Sequence, residues 1–346
     1  MNARVGAVAE LAPEAALSLD VAGSIDSSLP STDAIDRAID SAPPSSTEIH
    51  GQARVARRAP GRLADLIALT KPRITLMVAI TMLGGIWLAA RTAPVVRTSL
   101  PVLAMAVLGT ILVVSGANTL NMYIERSSDR LMARTKNRPL PSGRMAPAIA
   151  LWFGIALSAI SVPLLTFGVN LWTGLLAAIA LASYVLLYTP LKRRTTASLL
   201  IGAVPGAIPP LLGWTTITGR VEWPGVLLFA IMFLWQVPHF LAIAIFRRED
   251  YHRAGLQILP VTRGERVTRH HIVGYLAALV LVTLLLIPVG VGGPLYLVAA
   301  TGLGSAFFAF GAWGLLPTSG ARWARGLFIT SIVYLVLLLG ALMVSV

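Results

Sequence analysis

Asn121, Glu125 and Asp129 stand four residues apart within NTLNMYIERSSDRLMARTKNRPLPSG, residues 118–143. On one helix that spacing places three oxygen-bearing side chains along a single face, with about 40° of drift per step. Arg126, Arg130 and Arg134 repeat the spacing one residue later and form a basic stripe beside the acidic one. Acid then stands over acid and base over base. Each like-charged pair costs roughly 0.2–0.5 kcal/mol, and only the Arg126 to Asp129 contact runs the favourable way. A solvated helix face braced by ion pairs is one reading of such a run. The other is a ligand that carries both charges: a divalent cation for the carboxylates and an anion for the arginines. Mg²⁺ takes oxygen ligands and keeps one or two carboxylates together with substrate phosphate, so Mg²⁺ with a diphosphate suits the pattern. Arg126, Arg130, Lys136 and Arg138 then meet the phosphate oxygens, the arginines through their bidentate forks. The prolines and glycine of RPLPSG end the helix and begin a shaped loop.

These side chains need a scaffold, and the composition says which kind. The 346 residues are 56% hydrophobic and 12% charged, with a mean hydropathy of +0.76, which marks an integral membrane protein rather than a soluble domain. The absence of cysteine removes disulfides, thiolate catalysis and cysteine metal sites together. Residues 1–60 are rich in Ala, Ser, Pro and Asp without apolar periodicity, and read as a disordered tail. That tail holds more than half of the chain's acids, unlike a mitochondrial transit peptide, and no apolar stretch follows the start as in a secretory signal. Residues 61–346 form the membrane domain. From Ile74 onward nine apolar stretches are each long enough to span a bilayer: 74–92, 99–120, 148–168, 170–188, 197–217, 225–246, 272–290, 294–314 and 326–346. The expected fold is all-α, with about nine transmembrane helices. Pro205, Pro209 and Pro210 in the fifth span require neighbouring helices or water to satisfy the freed carbonyls.

Nine spans place the two termini on opposite sides. All of the 28 Lys and Arg except Arg91, Arg97 and Arg220 then fall on the side of the N-terminus, which the positive-inside rule makes the cytoplasm. Topology thus accounts for the net charge of +13, and no nucleic-acid partner is called for. Lys71 and Arg73, beside the first span, read as topological anchors. The acids add something else. Beyond residue 70 they are Glu125, Asp129, Glu222, Glu249, Asp250 and Glu265, and all but Glu222 lie in the connections after spans two and six. Each of these spans is followed by a mixed acid-and-base segment, as in an internal repeat.

NMYIERSSD followed by RTKNRPLPSG resembles the first aspartate-rich motif of the intramembrane aromatic prenyltransferase superfamily, in its Asn-x-x-x-Asp/Glu-x-x-x-Asp form. Further segments are similar to one branch, the protohaem IX farnesyltransferases. These are LTKPRITL at 69–76, YTPLKRRT at 188–195, GAVPGAIPPLLGW at 202–214, WQVPHF at 235–240 and REDYHRAGLQILP at 248–260. The resemblance covers residues 65–346.

It implies transfer of a farnesyl group from farnesyl diphosphate to a vinyl group of haem b, with addition of water, to give haem O. Asn121, Glu125 and Asp129 then hold Mg²⁺ and the diphosphate, Glu125 standing where many relatives have Asp. Asp250 of RREDY is the counterpart of a second carboxylate motif and a further metal ligand, with Glu249 a helix end. The resemblance brings Lys192 and Arg193 to the diphosphate, and Tyr188 and Tyr251 to the diphosphate or acceptor. It gives Gln236 and His239 to the haem, His239 as iron ligand or as a contact to a propionate or vinyl group. The implied setting is a bacterial plasma membrane, with a haem O-oxidising membrane partner downstream. Two other readings stay open: a quinone-type or chlorophyll-type acceptor, and a nine-span transporter, which would carry its carboxylates inside the spans.

Overall fold

A computed structural model describes residues 63–93 and 98–346, and the expected tail at 1–60 lies outside them. Apolar stretches with no water to hydrogen-bond must satisfy their own backbone, and the helix does so within one segment. Pro72, Pro101, Pro147, Pro224 and Pro294 occupy the first two positions of their helices, where a missing N–H costs nothing.

The helices in order are α1 (Leu63–Leu69), α2 (Pro72–Thr92), α3 (Leu100–Ile124), the short α4 (Arg126–Asp129), α5 (Pro147–Gly168) and α6 (Leu171–Ala182). Helix α6 runs on through a π-helical turn, Ser183–Tyr188, and a last turn, Thr189–Leu191. Then come α7 (Ser198–Thr218), α8 (Trp223–Phe246), α9 (Arg248–Arg253), α10 (Leu259–Thr262), α11 (Gly264–Leu284), α12 (Pro294–Trp313) and α13 (Ala321–Ser345). Among the described residues nine of these are long and apolar enough to cross a membrane: α2, α3, α5, α6 with its extension, α7, α8, α11, α12 and α13. The protein is an all-helical integral membrane protein.

Helices α7 and α8 form the centre, with 67% and 56% of their spanning windows buried, against 22–39% elsewhere. Helix α2 packs on α7, α3 on α5, α7 on α8, and α8 on both α11 and α13. The α2–α7 contact is a close backbone approach. A Cβ at Gly85 would fall 2.1 Å from the Pro210 carbonyl oxygen, and one at Gly213 2.1 Å from that of Met82. Despite Pro205, Pro209 and Pro210, α7 is continuous. Met82, Leu88, Ile231, Leu276 and Phe307 belong to one large core. Trp152, Phe167, Leu186, Val298 and Val344 face outward, where only a hydrocarbon solvent removes the cost of exposure.

Several boundaries differ from the sequence expectation, among them the end of α11 at Leu284 rather than 290 and the start of α13 at Ala321 rather than 326. Helix α3 continues to Ile124 and so includes Asn121. Helix α11 starts at Gly264 rather than 272, because the polar turn GERVTRHH is helical outside the apolar stretch. His270 and His271 therefore lie on α11, where they line an open cavity of about 450 Å³ with Leu234, Gly274, Tyr275 and Ala278.

Candidate active site

The acidic track survives a break in the helix. Helix α3 ends at Ile124, yet Glu125 N–H donates to the Asn121 carbonyl and Asp129 N–H to the Glu125 carbonyl, both at 2.9 Å. The four-residue step is thus kept through α4. Asn121 and Asp129 are buried, at 2% and 1% exposure.

The bases that meet this track come from elsewhere in the chain. Arg138 Nη1 donates to Asp129 Oδ2 at 2.8 Å, and Lys192 Nζ to Glu125 Oε1 at 3.1 Å. Arg193 donates to the hydroxyl of Ser128. Lys71 Nζ donates to Asn121 Oδ1 at 3.3 Å. Lys71 is thus part of the site, not the topological anchor expected of it; Arg73 stays exposed. Asn121 Nδ2 in turn donates to Thr189 Oγ1 at 3.1 Å, which fixes the amide with its oxygen towards Lys71.

Burial, then the charges of Arg138 and Lys192, lower the Lys71 pKa to about 7. Burial alone would also lower Lys192, but the facing Tyr188 and the Glu125 carboxylate overcome it and hold its pKa above the ordinary value. Two carboxylates among Lys71, Arg138, Lys192 and Arg193 leave the site with surplus positive charge. Such a surplus has room for a strongly charged anion.

The basic stripe expected from the spacing does not face the acids. Arg126 donates to the Tyr123 carbonyl, three residues back at the end of α3, at 2.7 Å and lies over the Tyr123 ring. Arg130 Nε donates to the Pro141 carbonyl at 3.2 Å, and Lys136 is exposed. A local contact sets the direction of Arg126, whereas the RPLPSG loop folds back, draws Arg130 to Pro141 and carries Arg138 onto Asp129.

Two other segments close over the site. The π-helical turn at the end of α6, a feature common at functional sites, carries Tyr188 beneath Lys192, whose Nζ lies 5.0 Å from the ring centre. After α9, Gly255 turns in the left-handed region (φ 67°). Gln257 N–H then reaches the Lys192 carbonyl at 3.2 Å. Tyr251 and Ile258 pack there on Met132, Ala254 and Leu256, and burial raises the Tyr251 pKa. Asp250 is held by its own helix: Arg253 contacts one oxygen at 2.7 Å and Arg247 the other at 3.7 Å. Among the described residues no three His, Asp or Glu side chains form a metal cage, so Asp250 does not complete one with Glu125 and Asp129.

Gln236 and His239, expected together, face different neighbours. Gln236 Nε2 donates to the carbonyls of Met232, at 3.0 Å, and Ala203, at 3.4 Å. A Cβ at Gly206 would overlap its side-chain oxygen. His239 Nδ1 pairs with Ser331 Oγ of α13 at 2.7 Å, and its ring stacks on Trp235 and Phe328, both at 4.8 Å.

Asn118, Ser128 and Thr189 were not singled out from the sequence. Asn118 Nδ2 donates to the Thr70 carbonyl at 3.4 Å, beside Lys71. Their only sequence signal is position within segments already marked, NTLN, RSSD and YTPLK. A transporter reading finds no support: Glu125, Asp129 and Asp250 all lie past the ends of the spanning helices rather than inside them.

Known proteins share the sequence and the fold of this chain. The chain is 62% identical over 279 residues to a Sorangium cellulosum protein named protoheme IX farnesyltransferase, covering 78% of this chain and 100% of the relative. It is 51% identical over 287 residues to a protein of the same name from Myxococcus xanthus, covering 83% and 96%. The fold matches that of a digeranylgeranylglyceryl phosphate synthase, with a TM-score of 0.71, 18% identity and coverage of 82% and 98%. It also matches an Archaeoglobus fulgidus UbiA homologue bound to GPP and Mg²⁺, with a TM-score of 0.56, 16% identity and coverage of 80% and 99%. Residues 78–332 match the UbiA prenyltransferase family, and the chain belongs to that family.

Proposed function

We infer that the protein transfers the farnesyl group of farnesyl diphosphate to a vinyl group of protohaem IX, with addition of water, to give haem O. The identity of 62% across the whole of a relative named protoheme IX farnesyltransferase carries the choice of acceptor. The convergence of Arg138, Lys192 and Lys71 on the Asn121–Glu125–Asp129 track supports the diphosphate half.

The donor set suits Mg²⁺: it consists of hard oxygens, and Asp129 uses only Oδ2 towards Arg138. Asn121, Glu125 and Asp129 would hold the ion, while Asp250, paired with Arg247 and Arg253, stays outside that set. When bound, Mg²⁺ supplies positive charge to the departing diphosphate. Arg138, Lys192, Arg193 and Lys71 bind the phosphate oxygens and stabilise the charge that grows on them as the bond to farnesyl C1 breaks. Arg130 and Lys136, on the exposed rim, and the half-buried Arg126 attract the anion from solution. Tyr188 and Tyr251 flank Lys192 and orient the leaving group. The segment Tyr251–Ile258 covers the site and keeps water from the reacting carbon. His239, its ring fixed through Nδ1 by Ser331, offers its other nitrogen to the haem, with Gln236 one turn away. The bilayer surrounds both apolar substrates. The N-terminal side faces the cytoplasm of a bacterial plasma membrane, residues 1–60 precede one membrane domain, and a haem O-oxidising membrane partner takes the product.

The test is a product assay on membranes containing the protein, given haem b, farnesyl diphosphate and Mg²⁺, with extracted haems examined by mass. A haem heavier by a farnesyl group and water is expected. Asp129→Ala is expected to lower its yield by about a hundredfold or more, and chelation to abolish it. Unchanged haem b alongside prenylation of another aromatic acceptor refutes the haem assignment.

A further inference from the structure

Each oxygen ligand on the acidic track is already met by a base from a different segment. Lys71 takes Asn121, Lys192 takes Glu125 and Arg138 takes Asp129, at 3.3, 3.1 and 2.8 Å. The partners lie 50, 67 and 9 residues apart in sequence, so the pairing is not a habit of one helix. The helix's own arginines bond to backbone carbonyls instead. The side chains of Glu125 and Lys192 are 13% and 22% exposed, and those of Asp129 and Arg138 1% and 24%, so water screens the pairs only in part.

A bare divalent cation reaching these oxygens must displace Lys71 from Asn121 Oδ1 and Lys192 from both Glu125 oxygens, and then sit beside their charges and that of Arg138. Repulsion in partly buried surroundings and the loss of the pairs both oppose it. A diphosphate arriving alone meets the two carboxylates. When both arrive, each removes the other's penalty. The bases turn from carboxylate to phosphate oxygens, and the cation takes the carboxylates they leave.

We propose that Lys71, Lys192 and Arg138 are exchangeable counter-ions of Asn121, Glu125 and Asp129, so that divalent cation and diphosphate bind as a pair and each binds weakly alone. The proposal rests on the metal–diphosphate reading of the site given above. The coupling is reciprocal: the factor by which diphosphate tightens cation binding equals the factor by which the cation tightens diphosphate binding.

Equilibrium dialysis of the full chain in detergent tests it, with Mn²⁺ as probe at a fixed free concentration and bound Mn²⁺ read by electron paramagnetic resonance. Without any phosphate, Lys192→Met and Lys71→Met are each expected to bind Mn²⁺ at least about fivefold more tightly than the wild-type chain. A base that merely braced the fold would give the opposite change or none. For the wild-type chain, inorganic pyrophosphate is expected to raise Mn²⁺ affinity by at least the same factor. Equal binding with and without pyrophosphate overturns the proposal, whatever the variants do, and leaves the metal site standing. No bound Mn²⁺ under either condition overturns the metal–diphosphate reading itself, and the proposal with it.

Discussion

Lys71 has φ 49° and ψ 65°, and is the only non-glycine residue in the left-handed region among the described residues. Such a conformation costs on the order of 1–3 kcal/mol and persists where surroundings impose it. Here Ile74 and Thr75 N–H both donate to the Lys71 carbonyl, and Asn118 holds the preceding carbonyl. The turn directs inward a side chain that a simple helix start would leave in water. The buried ammonium has a folded pKa of about 7 against an ordinary value of 10.5. The unfolded chain therefore binds the extra proton over that window, so stability rises as pH climbs from about 7, and the penalty is full below it. Lys71→Met keeps the backbone demand and removes the charge. The variant is expected to unfold at a higher temperature than the wild-type chain at pH 6 without ligands, with a smaller gap at pH 9. A gap that is constant or wider at pH 9 refutes the assignment.

At the scale of elements, the α2–α7 contact sets where Lys71 stands relative to the rest of the site. It depends on two glycines whose Cβ positions are filled by the opposing backbone. Gly213→Val is expected to push the helices apart, with a loss of about 1–3 kcal/mol or more and a fall in prenyl transfer. Gly302→Ala, in α12 with nothing within 4 Å of the added carbon, is expected to be neutral or to stabilise by up to about 1 kcal/mol. Thermal unfolding in detergent checks both, and equal effects refute the packing argument. Most helix positions were legible from hydropathy, because length and apolarity are what a bilayer selects. The start of α11 was not. Hydropathy reports solvation, whereas the polar turn stays helical through its backbone and through Arg269, which pairs with Glu265 and binds carbonyls at Gly314 and Ser319.

For the whole molecule, the asymmetry of Lys and Arg predicts orientation, and the chain's lack of cysteine makes the experiment clean. Single cysteines at Ser142→Cys and Thr318→Cys are expected to react with an impermeant maleimide only after cells are permeabilised. Arg220→Cys is expected to react in intact cells. The reverse pattern refutes a cytoplasmic N-terminal side. A cytoplasmic result for Ser142→Cys would put Glu125, Asp129 and Lys192 at the face that a water-soluble diphosphate reaches.

The sequence alone determined the bilayer as solvent, nine spanning segments, and oxygen-bearing side chains at four-residue spacing around the end of the second. These follow from composition and from periodicity along one helix, both local properties. The tertiary structure decided which bases serve which acids. It drew Arg138, Lys192 and Lys71 onto the track, turned Arg126 and Arg130 away, and separated Gln236 from His239. A helix's own period fixes only neighbours three and four residues away. Partners 50 and 67 residues distant are chosen by how the helices pack and where the connecting segments fold back, and that choice minimises the energy of the whole bundle.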